Sequence, residues 1–426
     1  MDKTKAFFEH LNLPKIAEED MQWLDRPITI KELQDTIKTL PNSKSPGIDG
    51  IPCKFYKVFA EQPSPELLKT FTAAIEGNEL PPSMTEVVIS VILKKGKDPQ
   101  ECGSYRPFSL LCCNGKLLTK LLAIRVNHII KSIIQVGFVK GCKSSDNFRR
   151  LLHVMWNAKD LPLSAAALSP DDILVLISHP QDTIPLLLDT VKKFSEISGY
   201  KVNWSKSEVM PLSKHCQKKD FQEWRFKWIH KNMKYLGILL NPELVNMIKD
   251  NFDPLLQKIQ LLFKAWDKLL ISLWGRVQVI KMMVAPKLIY PLSMLPLNIP
   301  ISIFKSIDKM FSEFIWAEKR ARMRLARLQA TVHNGGLRLP NMQLYQEAFL
   351  TAQICLLRLE SNNRPLWVQI EQELNKPFNA ADYLSQSSQI DNPITLHTKT
   401  IWHKIHKKEK SSAFLTAPHL SGTTLY

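Results

Sequence analysis

Leu168-Ser-Pro-Asp-Asp-Ile-Leu-Val-Leu-Ile-Ser178 sets two adjacent carboxylates, Asp171 and Asp172, in front of a short apolar run with β-branched residues at 173, 175 and 177. One reading is a strand whose acids sit at a hairpin tip, where successive side chains point opposite ways and the first is the principal cation ligand. The other is a helix start, with Ser169 as cap, Pro170 at the first position and two acids favoured by the macrodipole. Under the first reading the pair is part of a centre that holds paired divalent cations, and one strand alone rarely supplies enough carboxylates for that.

Around this stretch the chain runs to 426 residues and is 45% hydrophobic, enough for two or three cores rather than one. Lysine and arginine number 57 against 40 acids, a net charge of +17. That excess favours polyanions such as nucleic acid or acidic membrane surfaces, the plain alternative being a charge that only keeps the chain soluble. The amino terminus is charged and carries no apolar stretch of signal-peptide type, and the apolar neighbourhood Leu288 to Phe304 is interrupted by Pro291, Pro296 and Pro300. The expectation is an intracellular protein, cytoplasmic or nuclear, neither secreted nor membrane-spanning. Seven cysteines at 53, 102, 112, 113, 142, 216 and 355 lack Cys-x-x-Cys spacing, so reduced thiols are expected. His397, His403 and His406 lie among lysines and read as a solvated basic helix end rather than a metal site.

Element signals are clear in places. Thr29 with Glu32 makes a capping box for a helix burying Leu33, Ile37 and Leu40. Ser64-Pro65 reads as cap and first residue of a helix that buries Leu67, Leu68, Phe71 and Ile75 and ends at Gly77. Val87 to Leu93 reads as a strand entering the basic turn Lys94-Lys-Gly-Lys97, and Ser104 to Ser109 as a loop before a long helix from about Asn114 to Ile134. A helix from Asp182 to Ser198 stops at Gly199, and Tyr200 to Met210 and Met233 to Leu240 read as strands. From Glu243 on the pattern is helical, with Trp266, Leu269, Leu273 and Val277 on one stripe. The tail after about Ala380 has the composition of a partly disordered segment.

Taken in order, the loops resemble those of reverse transcriptases of non-LTR retrotransposons, the long interspersed element type. Lys44-Ser-Pro-Gly-Ile-Asp-Gly-Ile-Pro-Cys-Lys-Phe-Tyr56 is similar to a fingers block, and Ser104-Tyr-Arg-Pro-Phe-Ser-Leu-Leu111 with Lys116 to Ala123 to a second. Gln135 to Gly141 with Ser144-Ser-Asp-Asn147 is similar to a third, although Cys142 stands where the family often has arginine. Ser198-Gly-Tyr-Lys-Val-Asn-Trp-Ser-Lys-Ser-Glu208 resembles the segment after the catalytic hairpin, Tyr235-Leu-Gly-Ile238 the primer-grip hairpin, and the stretch through Leu273-Trp-Gly-Arg276 the thumb. Asn334-Gly-Gly-Leu-Arg-Leu-Pro-Asn341 continues the likeness beyond it.

The resemblance implies an RNA-directed DNA polymerase working with an RNA template and a DNA primer. Its implied site has Asp171 and Asp172 as catalytic ligands of Mg²⁺ or Mn²⁺, and Arg106 and Lys206 toward the nucleotide phosphates. Lys94, Lys95, Lys97, Tyr235 and Gly237 would lie along the nucleic acid. The implied fold is α+β and predominantly helical: residues 1–150 fingers-like, 151–242 a truncated palm, 243–335 a helical thumb and 336–426 a helical extension. Two departures matter. A first aspartate strand and a Gln-Gly block should precede the paired acids, yet only Phe148 to Ser169 stands there, reading as one helix and a short extended piece. The aromatic-Ala-Asp-Asp of the family has become Ser169-Pro170-Asp171-Asp172. An internal deletion with its junction near Ser169 and Pro170 accounts for both. It implies a metal site held only if the truncated remnant still suffices, impaired catalysis, and a palm sheet left with unpaired edges. Two alternatives stand beside it: a non-enzymatic RNA- or DNA-binding remnant, and a degenerate product that scarcely folds.

Overall fold

The computed structural model describes residues 3–9, 11, 16–42, 44–77, 79–133, 143–169, 173–357, 364–374 and 392–409. Helix predominates, about 60% against 10% strand, so the chain is mixed and mostly helical. It divides into two compact units, one drawn from Asn12–Gln135 and the other from Lys143–Tyr426 with Met1–Leu11.

Helix α1 (Lys3–Glu9) belongs to the larger unit. The smaller one holds α2 (Glu18–Asp25), α3 (Ile30–Lys38), α4 (Cys53–Val58), α5 (Ser64–Glu76), α6 (Pro82–Thr85), β1 (Val87–Leu93), β2 (Tyr105–Leu111) and α7 (Cys113–Ile133). Thr29 caps α3 by accepting from the Glu32 amide at 3.2 Å, and Leu33, Ile37 and Leu40 are buried as the spacing predicts. The Glu32 carboxylate reaches across to Arg125 on α7, which holds it at 2.7 and 2.8 Å and also donates to the carbonyls of Leu24, Arg26 and Pro27. That guanidinium ties α2, α3 and α7 into one body around Leu33, Phe71, Leu117 and Leu121. Ser64 does not cap α5: it is the first helical residue and its hydroxyl donates back to Ala60. Ile75, expected inside, is exposed. The expected loop at Ser104 to Ser109 is also corrected, because β2 pairs antiparallel with β1 from Val87↔Leu111 to Leu93↔Tyr105.

In the larger unit, α8 (Ser144–Ala158) leads to a four-stranded sheet of β3 (Ala165–Ser169), β4 (Val175–Ser178), β5 (Glu208–Pro211) and β6 (Lys227–Trp228), in spatial order β4-β3-β5-β6. Helix α9 (Pro180–Ser198) follows β4 and ends at Gly199, whose φ of 72° is the left-handed cap that glycine adopts without strain. Of the strand expected over Tyr200 to Met210 only Glu208 onward pairs, the earlier part making a single 3₁₀ turn at Trp204–Lys206. Met233 to Leu240 is a hairpin, β7 (Met233–Tyr235) and β8 (Ile238–Leu240).

The rest is helical: α10 (Leu244–Asp267), α11 (Leu273–Val279), a π-helical turn at Ile280–Val284, α12 (Ala285–Met294), α13 (Ile301–Ile315), α14 (Leu325–Gln329), α15 (Met342–Leu356), α16 (Leu366–Leu374) and α17 (Pro393–Glu409). The expected tryptophan stripe is not one face of one helix. Helix α10 stops at Asp267 and Ser272 caps α11, so Trp266 and Val277 pack inward while Leu269 stays exposed. Within the tail, α17 is helical and buries Ile394, Thr398 and Ile401; residues 375–391 and 410–426 lie outside the described residues. His397 is buried rather than solvated. No helix among the described residues is long and apolar enough to cross a membrane.

Candidate active site

Strand β3 is the axis of the site. All five of its residues, Ala165 to Ser169, are buried, because the sheet is covered on both faces. Ala165 and Ala167 face the core that contains Phe148 and Met155 of α8, while Ala166 and Leu168 face the one formed by Ile177, Ile184, Val209 and Phe221. The alternation is that of a strand, and small side chains let both layers approach it. Both of its edges are paired, with β4 from Ala165↔Ser178 to Leu168↔Val175 and with β5 from Ala166↔Pro211 to Ser169↔Glu208. The interval from Phe148 to Ser169 thus supplies a central strand, and β4 and β6 are the outer strands of the sheet among the described residues.

Pro170, Asp171 and Asp172 lie outside the described residues. The residues flanking them are placed: Leu168 pairs with Val175, which selects a strand on the far side of the acids rather than a helix beginning at them. Register then decides which side chains share that end of the sheet. Glu208 is opposite Ser169, half-buried, and its carboxylate lies 3.4 Å from Lys227 Nζ on β6. Lys206 sits two residues earlier, exposed, in a turn where Asn203 O accepts the Lys206 amide at 3.0 Å and the Ser207 hydroxyl at 3.0 Å. Reading the sequence singled out Lys206 but not Glu208, whose signal is only its place two residues downstream.

The other expected residues are distributed as follows. In the hairpin β7–β8, Leu236 and Gly237 form a two-residue turn with φ of 47° and 80°, the pair of positive values that tight hairpins use. Gly237 is therefore demanded by the turn, and Tyr235 is half-buried against the core, which raises its hydroxyl pKa. Tyr290 on α12 donates to Leu236 O and fixes the hairpin. In the smaller unit, the Lys94 ammonium donates to Gly103 O at 2.7 Å and so braces the turn, while Lys95, Lys97 and Arg106 are exposed on the same ribbon, Arg106 opposite Ile92. The third block, Gln135 to Gly141 with Cys142, lies outside the described residues.

Helix α8 carries β3 into position, and a buried polar network carries α8. Arg149 donates to Glu371 at 2.8 Å, to Gln353 at 2.8 Å and to Thr398 at 2.7 Å, and its guanidinium stacks 4.2 Å from the Trp367 ring. Asn392 Nδ2 donates to His153 Nδ1 at 3.1 Å, because Asn392 Oδ1 already accepts from Ile394; His153 Nε2 then donates to Glu371 at 2.7 Å. Arg149, His153 and Glu371 have no solvent exposure. Sequence reading missed this network, since its members are scattered over 249 positions and each alone is unremarkable.

As for a metal, no three His, Cys, Asp or Glu side chains among the described residues come together as a set able to hold one. The nearest described carboxylate by register, Glu208, is already matched to a lysine. Donors among the described residues do not make up a two-cation centre.

No family model matches the chain. Known proteins do. The Transposon TX1 uncharacterized 149 kDa protein of Xenopus laevis is 29% identical over 189 residues, 40% of this chain and 14% of that protein. The probable RNA-directed DNA polymerase from transposon BS of Drosophila melanogaster is 32% identical over 140 residues, 32% of this chain and 16% of that protein. The chain is a relative of non-LTR retrotransposon RNA-directed DNA polymerases. The polymerase from mobile element jockey of Drosophila funebris adds a match of 31% over 100 residues, 24% of this chain and 11% of that protein. The matched part thus spans only 11 to 16% of the length of these transposon relatives.

Proposed function

We propose that the chain is a retrotransposon-derived reverse transcriptase that holds an RNA template and DNA primer but is impaired in nucleotidyl transfer. The observation that carries the impairment is the scarcity of carboxylates at that end of the sheet: Asp171 and Asp172 fall within the five residues between β3 and β4, and Glu208 on β5, opposite Ser169, is matched to Lys227. In-line phosphoryl transfer needs charge neutralised on both the attacking and the leaving oxygen, which asks for more carboxylates than two neighbours on one strand. Asp171 and Asp172 would hold Mg²⁺ or Mn²⁺ only with a third donor, and Glu208 would first have to leave Lys227.

The remaining assignments follow the resemblance. Residues 1–150 correspond to fingers, 151–242 to a shortened palm, 243–335 to a thumb and 336–426 to an extension. Lys206 and Arg106 meet nucleotide phosphates, Arg106 through its planar fork. Lys94, Lys95 and Lys97 meet template phosphates by charge, and the Tyr235–Gly237 hairpin meets the primer. A net charge of +17 equally suits a non-enzymatic remnant that binds RNA or DNA without copying it.

Titration with Mn²⁺ read by electron paramagnetic resonance tests the shortage of ligands. Fewer than two ions bound per chain is the expected result. Two ions held together and both released by Asp171→Ala would overturn it.

A further inference from the structure

A second basic feature lies away from the sheet, in the segment that follows α13. Residues 317–327 carry Lys319, Arg320, Arg322, Arg324 and Arg327 against the single acid Glu318, and all five cations are exposed. Among the described residues none of them forms an ion pair, so their charge is directed at solvent. A run of five like charges costs self-repulsion, which a bound polyanion relieves.

This segment borders a cavity of about 510 Å³ whose walls include Ala326, Gln329, Arg338, Asn341, Leu344 and Tyr345. The wall is built from the Gly335–Asn341 loop folded onto α14. A Cβ on Gly336 would lie 2.1 Å from the Ala330 carbonyl, and one on Gly335 would lie 2.8 Å from the Arg327 guanidinium, so both glycines permit close approach and seat Arg327 over the loop. Arg338 is held at a φ of 51°, a left-handed conformation that costs a non-glycine residue about 1 kcal/mol or more, and its side chain is exposed at the rim. Leu337 and Leu339 amides both bond to Leu328 O around it.

The polar groups of the wall have a fixed orientation. Asn341 Oδ1 caps α15 by accepting from Leu344 N at 3.1 Å, so its Nδ2 is the donor toward Gln329 Oε1 at 3.2 Å. Among the described residues Gln329 Nε2 is buried without a partner, and the Gln329 side chain lines the cavity together with Arg338, Asn341 and apolar residues. Leu344 and Tyr345 are exposed at its edge.

We propose that this is a binding pocket for single-stranded RNA, in which one base enters against Tyr345 with its polar edge toward the Gln329 amide, while flanking phosphates follow Arg320 to Arg327 and Arg338. Stacking on an exposed aromatic beside a basic track is the general means of holding unpaired nucleic acid. RNA rather than DNA follows from the reading of the chain as a relative of RNA-copying enzymes, on which this inference rests.

Fluorescence anisotropy with a labelled single-stranded RNA dodecamer and the full chain tests it. Tyr345→Ala weakens binding about tenfold and leaves the salt dependence unchanged, whereas Tyr345→Phe binds as the parent does. Arg320→Ala/Arg322→Ala/Arg324→Ala lowers the slope of log affinity against log salt by about 2, near 0.7 for each phosphate no longer neutralised. An RNA with abasic positions binds the parent about tenfold more weakly but distinguishes little between the parent and Tyr345→Ala. Unchanged affinity in Tyr345→Ala, equal binding of the DNA dodecamer, or displacement of RNA by polyglutamate independent of Tyr345 would each overturn the assignment. If these variants bind normally while Lys94→Glu/Lys95→Glu does not, the pocket falls and the template-holding role stands; no RNA binding by the parent removes both.

Discussion

Arg125 shows what one side chain can hold together. With a bidentate hold on Glu32 and three backbone carbonyls, it is buried and fully engaged. Arg125→Ala leaves those acceptors unmatched, and urea unfolding should show a loss of about 3 kcal/mol. The hydrogen bond from Arg125 keeps the Glu32 pKa below its ordinary value of 4.5. Because the folded value is the lower one, the stabilisation is complete above pH 4.5 and fades as pH falls through the folded pKa. Glu32→Gln should flatten that acid limb. His397 behaves in the complementary way. Burial, with Arg149 nearby, lowers its pKa from 6.5 to about 4, so on acidification the unfolded chain takes up a proton that the folded chain refuses. Stability should therefore fall as pH drops from 6.5 toward 4, and His397→Leu should raise Tm at pH 5 more than at pH 7. Gly47, in the Ser-Pro-Gly loop, is needed for space rather than for φ: a Cβ there would stand 2.4 Å from the Cys112 backbone nitrogen. Gly47→Ala should cost more than about 1 kcal/mol in the same unfolding experiment.

Among elements, legibility followed the strength of local signals. Thr29, Gly77 and Gly199 marked helix ends that the structure retains, and the β-branched run at Val87 to Leu93 is a strand. Strand β2 was hidden by Pro107, which normally argues against a ladder; it is tolerated because β1 and β2 form a two-stranded ribbon with open edges, where the missing amide is not required. Strand β3 is the short extended piece read before Ser169; Ala-Ala-Ala-Leu favours helix by propensity, and it is a strand here with two layers closed over it. For the candidate site the sequence singled out Asp171, Asp172 and Lys206, the two acids lying outside the described residues, whereas Glu208 emerges only from the register Ser169↔Glu208. The network around Arg149 could not be read, because it joins α8 to α15, α16 and α17 across the sequence. Glu371→Leu strands a buried guanidinium and should lower stability by about 3 to 5 kcal/mol. Amide exchange should then quicken in α8 and β3 as well as in α16.

At the scale of the molecule, the larger unit runs its main core from α8 and the sheet through α10, α12 and α13 to α17. What distinguishes a polymerase from a template-holding remnant is then confined to residues 170–174 and their neighbours. The deciding measurement is RNA-templated primer extension by the purified chain in Mg²⁺ and in Mn²⁺, beside Asp171→Ala/Asp172→Ala, with template–primer binding measured on the same preparations. The expected result is equal binding by both proteins and no extension by either. Extension by the parent chain that the double substitution abolishes would contradict the loss of nucleotidyl transfer and show that the missing carboxylate has been replaced.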